Sequence, residues 1–354
     1  MSNKYSILLT FDVEDWFQVE NFKEYIPFSS WPNYELRVEK NTHCLLDLLD
    51  SQRSAASRQL SASTNSINLT DPNNSQQASS IQYPVSSIQI RATFFVLGWI
   101  AKHLPDLVRE IHTRGHEVAS HGYYHNLGNQ QSPDALKRDL SDSKKLLEDI
   151  IGAPVYGYRA PSFSISNDIL NTIADAGYLY DSSFNSFGMH GRYGHVKLSQ
   201  NGKKGIALPI SAIPISHSPS LQAMAGGRNP ESSQGVSRKS KTQNPESKIF
   251  YELPISNIKL GSSVLPWGGG AYFRLIPFPL FKMGVRSILK NEGAYLFYMH
   301  PWEVDPEQPR VDGAPSFFRF RHYTNLDKTA SKLSSFIEGF TNCQFATCRQ
   351  YLEL

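Results

Sequence analysis

Five short segments of this 354-residue chain carry side chains suited to acid–base or metal chemistry. Asp12, Glu14 and Asp15 stand in FDVEDW, His121 and His125 in SHGYYH, Arg159 in YRAPSF, Asp181 in LYDSS and His300 in YMHPW. Two histidines and one carboxylate form a common open metal site for a hydrolase, with coordination positions left for water. The i, i+4 spacing of His121 and His125 can put both rings on one side of a helical turn. On an extended strand Asp12 and Glu14 share a face while Val13 turns away. Each group also has a plainer reading. Histidines at strand ends often cap backbone, DVED can be a solvated turn, and an arginine is usually a surface residue. Recurrence of such groups at several strand ends favours the catalytic reading over the plain ones.

The elements that must position these residues alternate in type. YSILLTFD (5–12) reads as a buried strand ending in an acid, and RVEKNTHCLLDLLD (37–50) as a helix with an apolar side. RATFFVLGWI (91–100) is the next strand and LPDLVREIHTRG (104–115) the next helix, followed by the strand HEVASH. SPDALKRDLSDSKKLLEDIIG (132–152) is the clearest helix, with Ser132 as N-cap, Pro133 in the first turn and Gly152 at the stop. VYGYRAP is strand-like, SNDILNTIADAGY (166–178) helical, and LYDSS follows. Strand signals return at IFYELPIS and AYLFYMHPW, and a last helix is expected within 325–340. Strand–helix alternation with chemistry at the strand ends predicts an α/β fold of parallel units, a closed or partly closed barrel whose active face lies at the strand C-termini.

Two stretches break the pattern. Residues 51–90 hold 21 Ser, Asn or Gln among 40 and repeat SSIQ at 79–82 and 86–89. Residues 216–248 repeat NPES at 229–232 and 244–247. Both read as polar, low-complexity loop insertions within a single domain over 1–354. The net charge of +3 is too small to argue for nucleic acid or an acidic membrane. Cys44, Cys343 and Cys348 form no disulfide framework. The N-terminal apolar run is short and quickly followed by acids, so neither a signal peptide nor a transmembrane helix is expected, and a cytoplasmic location follows as an expectation.

The motifs taken together resemble the polysaccharide deacetylases, carbohydrate esterase family 4, and within them the branch associated with exosortase and exopolysaccharide systems. LTFDVEDWFQV (9–19), RATFFVLGWIA (91–101), HEVASHGYYHN (116–126), YRAPSFSIS (158–166), GYLYDSS (177–183), PWGGGAYFRLIP (266–277), YMHPWEVDPEQPR (298–310) and FRHYTNL (320–326) carry the likeness. The resemblance implies a distorted parallel (β/α) barrel and metal-dependent removal of N-acetyl groups from an N-acetylated glycan, with exopolysaccharide assembly proteins as possible partners. It implies Asp12 as general base, His300 as general acid, Arg159 as the arginine that holds the base, and Asp181 as the acid that orients His300. It implies a divalent metal, Zn²⁺, on His121, His125 and a carboxylate. The family's usual neighbouring Asp would fall at Val13, so Glu14 takes that role, with Asp15 in reserve. Gly122 stands where a Ser or Thr usually follows the first histidine.

Around PWGGGAYFR the glycines could let backbone approach a sugar, with Trp267 or Tyr272 packed on its ring; the same residues could equally be a plain loop with core aromatics. Trp302 is either a pocket wall or core. A small or cyclic amide hydrolase on the same barrel stays open because the first motif is altered. A non-catalytic carbohydrate-binding protein is the third reading.

Overall fold

The computed structural model describes residues 5–65, 90–187, 194, 196, 198, 201–210, 249–261 and 263–354, with backbone only for 53–65. The chain starts with β1 (Ser6–Val13), α1 (Val38–Asn65), β2 (Ala92–Val96), α2 (Gly98–His103), α3 (Pro105–Thr113) and β3 (Glu117–Ser120). It continues with α4 (Pro133–Ile151), β4 (Gly157–Tyr158), α5 (Asn167–Asp175), β5 (Tyr180–Asp181), β6 (Leu208–Ile210) and β7 (Phe250–Glu252). Then come a hairpin of β8 (Asn257–Leu260) and β9 (Ser263–Pro266), α6 (Gly270–Leu275), α7 (Phe278–Glu292) and β10 (Ala294–Met299). The last elements are α8 (Ser316–Tyr323), α9 (Thr329–Glu338), β11 (Gln344–Phe345) and α10 (Cys348–Leu352).

Among the described residues, nine strands make one sheet in the order β10-β1-β2-β3-β4-β5-β7-β6, with β11 also paired to β1. All pairings but β6–β7 are parallel. Irregular backbone brings the far side of the sheet back to β10. Tyr298 N–H donates to the Gly268 carbonyl at 2.7 Å, and Leu296 N–H donates to Ser256 Oγ at 2.8 Å. The sheet is therefore a distorted (β/α) barrel.

Strand alternation sorts the side chains. Ile7, Leu9, Phe11 and Val13 of β1 pack outward in the main core, under the helices. Leu8 joins Phe95, Ala119, Tyr180, Leu253 and Leu296 in a separate interior cluster. Gly157 leaves the space that the Tyr180 ring fills; a Cβ there would run into that ring. The helices follow the same logic. In α4, Leu136, Leu140, Ser143 and Leu147 are buried along one side, Ser132 Oγ accepts from Ala135 N–H at 3.3 Å, and Gly152 closes the helix.

The helix expected over 37–50 is longer than its apolar pattern. α1 runs on to Asn65, into the stretch read as a flexible insertion. Residues 51–65 contain no Gly or Pro and include Ala, Arg, Gln and Leu, so the backbone can continue the helix. The remainder of that insertion up to residue 89, and all of 216–248, lie outside the described residues.

Candidate active site

The C-terminal ends of β1, β3, β4 and β10 bring their last side chains to one place. Parity decides which ones point inward. On β1, Leu8, Thr10 and Asp12 face the interior, and Glu14 continues that series past the strand end. On β10, Leu296 and Tyr298 lead to His300 in the same way. His121 and Arg159 each follow the last residue of their strand, β3 and β4.

Arg159 is fully buried and anchors the base candidate. One terminal nitrogen donates to Asp12 Oδ1 at 2.7 Å and to Thr10 Oγ1 at 2.8 Å. The other donates to Ser182 Oγ at 2.8 Å, and Nε to the Ser182 carbonyl at 2.9 Å. The guanidinium lies over the Phe95 ring at 4.1 Å. Four hydrogen bonds satisfy the buried cation and leave Asp12 Oδ2 turned toward the cleft.

Glu14, His121 and His125 form a cluster whose candidate ligand atoms all lie within 4.8 Å of one another. Glu14 Oε2 is 2.8 Å from His125 Nε2 and 4.0 Å from His121 Nε2. Burial opposes ionisation of Glu14, but His125 and His300 outweigh it and hold the carboxyl down to about 2. Burial pushes His121 down to about 4 against the pull of Asp12, so it is neutral near pH 7. His121 Nδ1 sits 2.9 Å from the Arg159 carbonyl. That contact makes Nδ1 the donor and leaves a lone pair on Nε2, the arrangement typical of a metal ligand. Glu14 Oε2 is buried and, despite its close approach to His125 Nε2, meets no donor in hydrogen-bond geometry. An orphaned carboxylate oxygen among imidazole nitrogens is what a site built for a divalent cation presents, and these residues fit one.

The two histidines do not meet across a helical turn as their spacing suggested. They lie on a bend in which Gly122 has φ 75° and His125 φ 57°. A helical turn would send both rings off one side of a cylinder, whereas here positive φ at both positions folds the loop back on itself. Any Cβ on Gly122 would meet Asp139 Oδ1 at 2.9 Å. The loop has its own braces in place of a hydroxyl at 122: Gly122 N–H donates to Ser120 Oγ at 3.2 Å and Tyr123 N–H to Asp139 Oδ1 at 3.0 Å.

His300 completes the cleft. Its Nε2 lies 3.5 Å from Glu14 Oε1 and 4.0 Å from Asp12 Oδ2. Its Nδ1 lies 3.0 Å from Glu303 Oε1. Burial pulls the imidazole pKa down, but Glu14 and Glu303 overcome it and raise it to about 9. Glu303 is itself buried, yet Arg274 and His300 hold it near 2. Arg274 Nε donates to Glu303 Oε2 at 2.8 Å, and its other nitrogens donate to the Arg321, His322 and Thr324 carbonyls. The ring of His300 stacks on Trp302 at 5.0 Å and 16°, and Trp302 stacks on His322 at 4.0 Å and 12°.

Several expectations need correction. Asp181 does not orient His300. Tyr180 points into the barrel, so the next residue on β5 points out of it. Asp181 accepts from Ser183 N–H and Oγ at 2.9 and 2.7 Å and is paired in register with the equally buried Glu252. Glu303 stands beside His300 instead. Asp15, the reserve ligand, is a structural cap that accepts from Trp16, Arg37 and Val38 N–H at 2.7–2.9 Å. Trp267 is core: it stacks on Phe281 at 5.8 Å and its Nε1 donates to the Phe281 carbonyl. Tyr272 packs against Phe187 and under Arg321, and like Trp267 it does not line the cleft. Trp302 does line it, as do Glu20, Tyr298, His322 and Arg321, around a cavity of about 120 Å³. Sequence reasoning missed Glu303 and Arg274. A His-x-x-Glu spacing in HPWE was the available signal for Glu303; nothing local marked Arg274.

Residues 83–180 match the polysaccharide deacetylase family model, and residues 182–353 match a domain of unknown function, DUF3473. His121, His125 and Arg159 fall in the first segment, His300, Glu303 and Arg274 in the second, and Asp12 and Glu14 precede both. A Bacillus cereus peptidoglycan-N-acetylglucosamine deacetylase is 32% identical over 87 residues, 25% of this chain and 40% of that protein. A Sinorhizobium fredii chitooligosaccharide deacetylase is 37% identical over 90 residues, 25% of this chain and 42% of that protein. The chain thus spans about two fifths of the length of these curated relatives. A Mycobacterium smegmatis structure of the polysaccharide deacetylase type aligns over 100% of this chain and 90% of its own, with a TM-score of 0.54 and 16% identity, which shows a shared fold. Residues 83–180 thus carry a polysaccharide deacetylase domain, and the chain shares the fold of a structure of that type.

Proposed function

We propose that the protein is a metal-dependent hydrolase that removes N-acetyl groups from amino sugars of an exopolysaccharide or its lipid-linked precursor. The observation that carries this reading is the convergence of Asp12, the Glu14–His121–His125 cluster and His300 on one cleft. The names of the relatives, a peptidoglycan-N-acetylglucosamine deacetylase and a chitooligosaccharide deacetylase, support the substrate class.

Glu14, His121 and His125 would hold the cation, Zn²⁺ in our reading, which when bound lowers the pKa of a water from roughly 15.7 to about 7 and polarises the acyl oxygen. Asp12 accepts the proton of the attacking water at Oδ2, because Arg159 occupies Oδ1. His300, protonated near neutral pH, donates its Nε2 proton to the amine nitrogen as the C–N bond breaks. Glu303 accepts from Nδ1 and so fixes which nitrogen faces the substrate. Positioned acid and base groups of this kind typically contribute about 10² to 10⁴-fold each. Trp302 keeps the His300 ring in place and walls the cleft where a sugar would lie.

The test is acetate release from N-acetylglucosamine oligomers, run beside ring opening of allantoin-like cyclic amides and metal analysis of the same protein. Acetate release with about one bound divalent ion per chain supports the proposal. Ring opening without acetate release overturns it in favour of a cyclic amide hydrolase. Oligosaccharide binding with no turnover on either substrate makes it a carbohydrate-binding protein.

A further inference from the structure

Helix α8 carries its apolar side outward. Phe317 is 63% exposed and Phe320 57%, although most large apolar side chains here are buried. The two lie one turn apart, on the same side of the helix. Arg321 follows one turn after Phe317, on the side away from Phe320, and lines the cleft. The inward side is His322 and Tyr323, fixed against Phe22 with ring centroids 4.8 and 6.2 Å apart. The helix is therefore seated firmly on the barrel, and its free face is one that water alone disfavours.

We propose that this outward face of α8 docks the protein on an anionic membrane surface, with the cleft at the membrane–water boundary. Two features choose a lipid surface. Phenylalanine has no polar atom to meet sugar hydroxyls, so an exposed pair suits acyl chains better than a glycan. The charge also matches, because residues 309–323 hold Arg310, Arg319 and Arg321 against one acid, Asp312, which lies 3.9 Å from Arg319. Apolar side chains flanked by arginines are the composition of interfacial elements that bind anionic headgroups reversibly. Such docking would present the cleft to a glycan held at the membrane by a lipid. That consequence rests on the deacetylase reading; the docking itself does not.

The test uses the full chain and vesicles, and no turnover is read, so failure of docking and failure of the deacetylase reading are distinguishable. Wild type should float with phosphatidylglycerol-containing vesicles, bind pure phosphatidylcholine vesicles weakly, and be released from the former by salt. F317S/F320S should weaken binding by about tenfold or more with an unchanged thermal midpoint, since both side chains are exposed. R310Q/R319Q should weaken binding to the anionic vesicles alone. Absence of wild-type binding, or equal binding by F317S/F320S, overturns the proposal. Self-association in wild type that F317S/F320S abolishes, with vesicle binding unaffected, overturns it in favour of an interface between copies of the chain.

Discussion

His300 and Glu303 face each other within one 3-10 helical turn, with Nδ1 and Oε1 3.0 Å apart. The same carboxylate oxygen also accepts the His300 backbone N–H at 3.1 Å. Glu303 thus sets the ring and the strand end together, and Arg274 holds its second oxygen.

The first prediction follows from that pair. Glu303 is among the groups that raise the His300 pKa to about 9, so the acid form dominates below that pH and is lost above it. Glu303→Gln should move the basic limb of kcat/KM to lower pH, because the imidazolium loses an anion. It also leaves the Arg274 cation buried without its counter-charge, which should cost about 3–5 kcal/mol of stability. The measurements are the pH profile on an acetylated oligosaccharide and a denaturant titration. An unmoved basic limb would remove Glu303 as the partner of the acid.

Asp181→Asn gives the matching control. Asp181 faces Glu252 and Ser183, not His300, so the basic limb should stay where it is. A shift there would restore the role that the sequence suggested for Asp181.

The Asp181–Glu252 pair predicts a pH-dependent stability. Burial, and for Glu252 the neighbouring Asp181, push both carboxyls above their ordinary range. A raised carboxyl pKa means that the folded state binds the proton more tightly than the unfolded chain. The pair therefore costs stability progressively as pH rises above the ordinary carboxylate range. Glu252→Gln keeps an oxygen for the Phe184 N–H and removes the charge. Its thermal midpoint should gain on wild type as pH rises from acidic to alkaline. A difference that stays constant with pH would contradict the sign.

Metal content tests the cluster. His121→Ala and His125→Ala should each abolish stoichiometric divalent metal in the purified protein, whereas Asp15→Asn should retain it, because Asp15 is spent on three backbone N–H groups. Full metal in both histidine variants would show the ligand assignment to be wrong.

Asp12→Asn should keep the metal yet lose about 10² to 10⁴-fold in kcat, since an amide cannot accept the water's proton, and it should lower the thermal midpoint because buried Arg159 loses its counter-charge. The readouts are metal analysis, thermal midpoint and initial rate. Wild-type activity in this variant would remove Asp12 as the base.

Much of the site was legible because it lies at the ends of regular elements. Period-two alternation on β1 puts Asp12 and Glu14 on one face, and that is where they are. The same rule, applied to β5, would have turned Asp181 away from the interior, since Tyr180 is the inward residue. The resemblance to a family motif overrode it. Glu303 and Arg274 were harder to read. Their ion pair spans 29 positions of chain and joins the short helix α6 to a single 3-10 turn, elements too short for a periodicity to mark it. The helix in SQRSAASRQLSASTN was obscured by serines that signal a loop by composition while breaking no helix. Trp267 was ambiguous for a plainer reason: next to glycines, a core aromatic and a sugar platform have the same local sequence.

The register of β1 with β10 has a further consequence. Phe11 is paired with Met299, so Asp12 and His300 are the next residues on neighbouring parallel strands. Strands in a sheet stand about 4.8 Å apart whatever their side chains. The backbone spacing of Asp12 and His300 is thus inherited from the sheet, while Arg159 and Glu303 set where each side chain points. Loops around the cleft can be lengthened, shortened or recoloured with charge, and the two residues keep that backbone spacing throughout.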